Sequence, residues 1–402
     1  MREVLTFILA GGKGERLHPL TRDRAKPAVP FGGIYRIVDF TLSNCINSGL
    51  RRIFVLIQYK SFSLQKHILS GWDIVSTQLG EFIDVIPPQQ RIGDDWYKGT
   101  ADAIYQNIYA IQDCDPKLVL ILAGDHIYKM DYRKMIEQHQ SMDADMTVAC
   151  VEAPRETAVG FGVVEVDKKW RVCGFQEKPR EPKTIPGDPS KIVASMGIYL
   201  FNKEVLFEEL GIDAKLNSGH DFGKDIIPQM ISKKRKVYAY NFVDENNKSK
   251  YWRDIGTRDA YYQANMDLVK PDSAITLYDK SWPVRTFHEQ YPPIKIVNGD
   301  SETNQGVVLD SLVGGGCVII GAKVTKSVLS SNVRIEEGAV VSESILMESV
   351  VVGKNAKIKN AIIDKEVTIP PYAEVGFDLE LDKKRFDVTT SGIVMVAKKT
   401  SL

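Results

Sequence analysis

Between residues 312 and 367 the chain carries a period that few folds can use. Apolar residues return in steps of six: Leu312, Val318, Val324; then Val333, Ala339, Ile345; then Val350, Ala356, Ile362, with the frame slipping between the sets. The stretch is rich in Val, Ile, Gly and Ser and has no helical spacing. A short repeat cannot bury its apolar face alone, so stacked copies must share one core. A six-residue repeat is the mark of a left-handed parallel β-helix, with one strand per repeat and three per coil. Each of these apolar residues is then expected to point into the prism. The competing arrangement is a β-sandwich of short strands, which has no need of a fixed period.

The first two thirds read differently. Apolar runs of buried-strand length at 4–10, 53–58 (IFVLIQ), 118–123 (LVLILA) and 146–151 (MTVACV) alternate with helical stretches. Those stretches lie at 40–48 with Gly49 as a stop, at 61–69, at 101–111 with Thr100 as N-cap, and at 130–140 with Asp131 as cap. Buried strands alternating with helices give a Rossmann-like α/β domain around a mostly parallel sheet. From residue 160 the strands alternate in polarity (FGVVEV, VCGFQEK, ASMGIYLF), which suggests an added antiparallel layer. A helix at 257–269 ends at Lys270-Pro271. The expected division is a first domain at 1–270, a proline-rich linker at 271–304, and the β-helix at 305–402.

The chain has 402 residues, enough for two or three domains, and its 52 Lys plus Arg balance 52 Asp plus Glu. Neutrality favours neither a nucleic-acid nor a membrane partner. The five cysteines form no CxxC pair, which fits a reducing compartment and a cytoplasmic location. No signal peptide or run of about 20 apolar residues is expected to send it elsewhere.

Against that balance, one loop is conspicuously cationic. Gly11 and Gly12 close the first strand, and Lys13, Arg16, Arg22, Arg24, Lys26 and Arg36 follow against only Glu15 and Asp23. Glycines let backbone N–H groups approach an anion, and Arg and Lys add full charge. A polyphosphate is the ligand that fits. No GxxxxGK[ST] occurs, and GGKGER lacks the third glycine of a dinucleotide fingerprint, so the scheme is a different one.

In an open α/β sheet, ligands bind beyond the carboxyl ends of the strands. Asp125 stands at such an end in AGDHIY, and Asp131 is the better cap for the next helix, which leaves Asp125 free to hold Mg²⁺. Asp254 in YWRDIG is a candidate second carboxylate, or else an ion-pair partner of Arg253 or Arg258. Glu177 and Lys178 suit sugar hydroxyls and a sugar phosphate, although neighbours on a strand face opposite ways unless Pro179 bends the chain. The amide-rich segment PQQRIGDDWYKGTADA can read a nucleobase. No GxSxG or HExxH spacing occurs, so covalent catalysis has no candidate.

Taken together, LAGGKGERLHPLT, RAKPAVPFGG, AGDHIY, EKP and YWRDIG resemble the sugar-nucleotide pyrophosphorylases. WYKGTADA, RAKPAV, HDFGKD and the six-residue repeats are similar to the bacterial, ADP-glucose-forming branch of that family, over nearly the whole chain. The resemblance implies a nucleotidyltransferase domain that makes ADP-glucose and pyrophosphate from ATP and glucose 1-phosphate with Mg²⁺, for glycogen synthesis. It implies that Gly11, Gly12 and Arg16 hold the triphosphate with Lys26 nearby, and that Gln90 reads adenine. Asp125 and Asp254 would bind the metal. Tyr97, Gly162, Glu177, Lys178 and Ser195 would contact the sugar phosphate, with Asp221 beside them. A homotetramer with sugar-phosphate or AMP effectors is also implied.

One position departs from the family pattern: Asp23 stands where activated members often carry a basic residue. A carboxylate there repels a phosphorylated sugar. Arg22, Arg52, Lys384 and Arg385 are the cations offered for another effector site. The rival readings are a UTP- or GTP-dependent relative and a regulatory subunit that has lost catalysis. An acyltransferase would need a histidine in the repeats, and none follows His288.

Overall fold

A computed structural model describes residues 1–89, 95–301 and 304–400. The apolar runs form the middle of a nine-stranded sheet. Strand Val4–Leu9 pairs in parallel with Arg52–Leu56 on one side and Leu118–Ala123 on the other, and Phe82–Ile86 extends the first flank. Beyond Leu118–Ala123 the sheet turns antiparallel. The 12-residue strand Lys191–Asn202 runs against it, followed by Gly162–Val166 and Val172–Glu177. Met146–Pro154 also pairs with the long strand and carries Val237–Asn241. The antiparallel layer expected after residue 160 is therefore part of the same sheet.

The central strand is buried on both faces. Val4 and Ile8 pack with Leu42, Leu64 and Trp72, whereas Leu5 and Phe7 pack with Ile104, Leu206 and Phe222. Each such side chain contributes about 1.5–3 kcal/mol by leaving water. This double burial is why the strand reads as a nearly continuous apolar run, with the buried Thr6 as its one polar residue.

Helices Ile37–Asn47, Phe62–Gly71, Tyr132–Ser141 and Arg258–Leu268 lie where the spacing predicts. Asp131 accepts from the Arg133 N–H and Thr257 from the Ala260 N–H, as N-caps do. The helix expected at 101–111 is instead two, Thr100–Tyr105 and Ile108–Cys114. The Asn107 side-chain amide donates to the Ala103 carbonyl at 2.8 Å, a local bond that competes with the regular ladder. Thr100 is not the cap; Gly99 holds that position, and the Thr100 hydroxyl donates to Asp221 Oδ2 at 3.0 Å.

The C-terminal part is a parallel β-helix of three sheets. Val328 pairs with Ile345 and Ile345 with Ile362, so these coils advance 17 residues, two steps of six and one of five, whereas the coil before them, from Leu312 to Val328, advances 16. That short step is the slip seen in the sequence, and it corrects the inward set. Val324, Val333, Ala339, Val350 and Ala356 do point into the prism core, beside Ile319, Leu346 and Ile358. Leu312, Ile345 and Ile362 lie on the outer face instead, toward the first domain. Strand Lys295–Val297 pairs with Val318–Ile320, so the solenoid begins inside the segment expected to be linker.

The two domains share an apolar interface, with Val328, Ile345, Ile362 and Met395 against Phe31, Phe40 and Tyr262. Within it lies a buried ion pair, Arg24 Nη2 to Asp364 Oδ1 at 2.9 Å. The solenoid thereby grips the basic loop: Arg22 also donates to the Lys398 carbonyl at 2.7 Å.

Candidate active site

The glycine loop leaves the carboxyl end of Val4–Leu9 and borders a cleft of about 380 Å³. Gly12, Arg16, Lys26, Asp125 and Gly256 all line it. At Gly12 an added Cβ meets nothing within 4 Å, so the backbone there is open to a ligand. Gly14 has φ +66°, and a Cβ would come within 3.0 Å of Lys26 Cβ, so the loop can pack on Lys26 only with glycine there. Gly11 faces Gln58 rather than the open cleft. Arg16 is exposed and makes no hydrogen bond or ion pair among the described residues. A free guanidinium at the mouth of a cleft is available to an incoming anion.

At the base of the cleft three strand ends meet. Strand Trp252–Asp254 pairs antiparallel with His126–Tyr128, in a register that sets Asp254 opposite His126. Asp125 and Asp254 thus converge from distant parts of the chain. The Lys26 ammonium lies between them, 2.7 Å from Asp125 Oδ2 and 3.0 Å from Asp254 Oδ1. Burial alone would raise the pKa of Asp125, but Lys26, with His126, outweighs it and holds the carboxyl down at about 2. For Lys26 burial acts to lower the value, and the two carboxylates override it and raise it. Asp254 pairs with neither Arg253, which faces Asp267, nor Arg258, which faces Asp387.

His126 was not singled out from the sequence, although it stands beside Asp125 in AGDHIY. Its Nε2 is 3.4 Å from Asp125 Oδ1 and 3.8 Å from Asp254 Oδ1, and its ring meets Trp252 edge-on. These three side chains can bring one ligand atom each within 4.8 Å of one another.

A second cluster lies along the antiparallel strands. Gly162 stands opposite Glu177, and a Cβ on it would sit 2.4 Å from Phe175 Cζ. Lys178 has φ +48°, which ends the strand and folds its ammonium back to 2.8 Å from Glu177 Oε1. The two therefore share a side, and the turn is at Lys178 itself rather than at Pro179. Ser195 begins a bulge in Lys191–Asn202 that runs to Tyr199. Tyr199 was missed from the sequence; it is the hub of this cluster. Burial and the carboxylates of Asp221 and Glu177 raise the pKa of its hydroxyl, against a hydrogen bond with Ser195. Asp221 itself caps the turn after it, accepting from the Gly223 and Lys224 N–H groups. Tyr97 is half-buried, and its hydroxyl accepts from Asn107 at 3.0 Å. The bulge joins the clusters, since a Cβ on Gly197 would lie 3.6 Å from His126 Cε1.

Gln90 lies outside the described residues. Among the described residues, Trp96 stacks on Tyr59 at 5.9 Å, and the Lys13 ammonium lies over the Tyr59 ring. The effector cations do not form one site. Arg52, at the amino end of its strand, donates to the Arg2 and Cys114 carbonyls, while Lys384 and Arg385 border a hollow beside the C-terminal helix Leu379–Arg385. Arg22 is engaged with Asp23 and Lys398.

The family model described as nucleotidyl transferase matches residues 5–270, and a GlmU-like C-terminal hexapeptide model matches 292–396. A glucose-1-phosphate adenylyltransferase of Koribacter versatilis is 52% identical, over 100% of this chain and 97% of its own. One from Rhodopirellula baltica is 53% identical over 99% and 90%, and a glucose-1-phosphate adenylyltransferase 2 from Vibrio cholerae is 50% identical over 98% of each. With the loop, the paired carboxylates and the hexapeptide solenoid all in place, the chain belongs to the glucose-1-phosphate adenylyltransferase family of nucleotidyl transferases.

Proposed function

We propose that this protein transfers the adenylyl group of ATP to glucose 1-phosphate, releasing pyrophosphate and forming ADP-glucose for glycogen synthesis. One observation carries the reading: a cleft lined by open glycine backbone and the unpaired Arg16 ends on Asp125, Lys26 and Asp254. The relatives at 50–53% identity carry this activity in their names.

The chemistry requires two anions to meet. A phosphate oxygen of the sugar phosphate attacks the α-phosphorus of ATP in line, and the bond to the β,γ-pyrophosphate breaks. The nucleophile is already ionised near pH 7, since the second pKa of a phosphate monoester is about 6. No general base is required, and positioning with charge neutralisation supplies the rate. We assign Arg16 and the N–H groups around Gly11 and Gly12 to the β- and γ-phosphates. Lys26 would then neutralise the base of the cleft. Tyr97, Gly162, Glu177, Lys178, Ser195 and Asp221 are assigned to the sugar-phosphate side, and Gln90 to adenine.

We further propose Mg²⁺ as the cofactor, held by Asp125 and Asp254. The donor set fits: hard carboxylate oxygens converge on a point where the Lys26 ammonium is already accommodated. Two carboxylates against one ammonium leave negative charge to attract a divalent cation. When bound, the metal supplies Lewis-acid polarisation of the phosphate and charge for the leaving group.

We also propose sugar-phosphate or AMP effectors; the inter-domain hollow of about 210 Å³ brings Arg24, Arg36, Lys365 and Lys398 together, but Asp23, Glu348 and Glu366 line it too, so its charge does not assign them there. A homotetramer and a cytoplasmic location complete the proposal. Five free cysteines support the latter, and no helix among the described residues is long and apolar enough to cross a membrane. The test is pyrophosphate release with glucose 1-phosphate and each of ATP, UTP, GTP and CTP. Preference for ATP is expected; preference for another nucleotide, or inertness with all of them, would overturn the reading.

A further inference from the structure

His220 adopts the left-handed region, with φ +51°, just ahead of Asp221. That conformation is unfavourable for most residues with a side chain, although Asn, Asp and His tolerate it best. Here it is held by a clasp. His220 Nδ1 lies 2.7 Å from Asp213 Oδ2 and 3.1 Å from Ser218 Oγ. The Ser218 hydroxyl donates to Asp213 Oδ1 at 2.7 Å, and the His220 N–H donates to Ser218 Oγ at 3.2 Å. Asp213 is almost fully buried.

The consequence lies on the opposite wall. The His220 carbonyl accepts from the N–H groups of Ala101 at 2.8 Å and Asp102 at 3.3 Å, at the start of helix Thr100–Tyr105. The approach is so close that a Cβ on Gly99 would sit 2.2 Å from that oxygen. Next along the chain, Asp221 accepts from the Thr100 hydroxyl, which itself accepts from the Phe222 N–H. Upstream of that helix, the Lys98 N–H is tied to Asp102, so the turn bearing Tyr97 rests on the same support. On the other side Phe222 packs against Tyr199, and Gly223 abuts Phe175, two residues from Glu177.

We infer that the Asp213–His220 pair, with Ser218, is a positioning device for the sugar-phosphate pocket. It fixes the left-handed turn at His220, and through it the spacing between the Tyr97 segment and the wall that carries Asp221, Tyr199 and Glu177. None of the three is assigned contact with substrate. The imidazole acts as a hydrogen-bond donor of fixed direction, and the carboxylate sets that direction. The inference rests on glucose 1-phosphate being the second substrate.

The experiment is steady-state kinetics of the full chain with Mg²⁺, ATP and glucose 1-phosphate, for His220→Ala, His220→Asn and Gly99→Ala. Loss of a charge-assisted hydrogen bond predicts that His220→Ala raises KM for glucose 1-phosphate about tenfold while KM for ATP and kcat stay within about threefold. Asparagine can donate from nearly the position of Nδ1 and tolerates positive φ, so His220→Asn restores KM toward wild type. Gly99→Ala, which pushes on the carbonyl from the far side, reproduces the rise. A merely structural role would lower the thermal midpoint and move both KM values together, without rescue by asparagine, and that result overturns the inference. So does an unchanged KM in His220→Ala with an active wild type. Should His220→Ala fail to fold, Ser218→Ala carries the same expectation in weaker form, and an unchanged KM there counts equally against it. A wild type inert with ATP and glucose 1-phosphate would instead sink the functional reading, and this inference with it.

Discussion

The Lys26 ammonium stands 2.7 Å from Asp125 Oδ2, deep in the cleft and beyond the open glycine loop. A lysine from the basic loop therefore pairs with protein carboxylates before any phosphate arrives. It holds in place two acids that would otherwise repel each other.

Removing one of those acids should cost catalysis far more than folding. Asp125→Asn keeps the shape and a hydrogen-bond acceptor but loses the charge. Electrostatic groups of this kind are worth about 10²–10³ in turnover. We predict a fall in kcat of at least that order, with circular dichroism and oligomer size unchanged. Wild-type turnover in the variant would remove Asp125 from the mechanism.

The same pair sets a pH dependence. The folded pKa of Asp125 is depressed to about 2, so its contribution is complete above the unfolded value, about 3.9, and disappears as pH falls through the folded one. The folded pKa of Lys26 is raised, so its contribution is complete below its unfolded value, about 10.4, and is lost as pH rises through the folded one. The thermal midpoints of wild type and Asp125→Asn should therefore differ by a constant amount from about pH 5 to 9 and converge below about pH 4. A gap that is the same at pH 6 and pH 3 would contradict the assignment.

Lys178 predicts a different signature. It is exposed, and its partner Glu177 is close to the surface, so the ion pair adds little stability. Lys178→Ala should leave the thermal midpoint within about 1 °C while raising KM for glucose 1-phosphate roughly tenfold, as loss of a charge-assisted phosphate contact does. An unchanged KM would move the sugar phosphate away from Lys178.

Arg24 and Asp364 are both nearly inaccessible, so removing one partner strands a charge. Asp364→Ala should destabilise the protein by about 3–5 kcal/mol, whereas the double change Arg24→Met with Asp364→Leu should recover much of that. Denaturant unfolding measures both, and the single changes Arg24→Met and Asp364→Leu with their combination close a double-mutant cycle. Additive losses would show that the two do not interact.

What could be read from the sequence was whatever is local. Val4–Leu9 followed by glycines and Asp131 as a cap are each decided within a few residues. Asp125 could be suspected because Asp131 already filled the capping role. What stayed open or escaped notice depends on pairing between distant segments. Asp254 was a candidate from the sequence, but the choice between metal carboxylate and partner of Arg253 or Arg258 waited on the register that sets it opposite His126; Tyr199 was missed, because only a bulge turns it toward Glu177 and Asp221. Thr100 looked like a helix cap because Thr often is one; the approach of His220 to Gly99 claimed its hydroxyl for Asp221 instead. In the solenoid, the 17-residue coil turned Ile345 and Ile362 from the prism core to the domain interface, a change that the sixfold period alone conceals.

The most direct test of the central claim is where a divalent cation binds alongside ATP. Mn²⁺, which can stand in for Mg²⁺ and is visible by electron paramagnetic resonance, should be taken up by the wild-type protein in the presence of ATP. The Asp125→Asn, Asp254→Asn double variant should lose that uptake. Undiminished Mn²⁺ binding in the double variant would contradict the account, because the metal and the triphosphate would then meet somewhere other than the cleft that ends on Lys26.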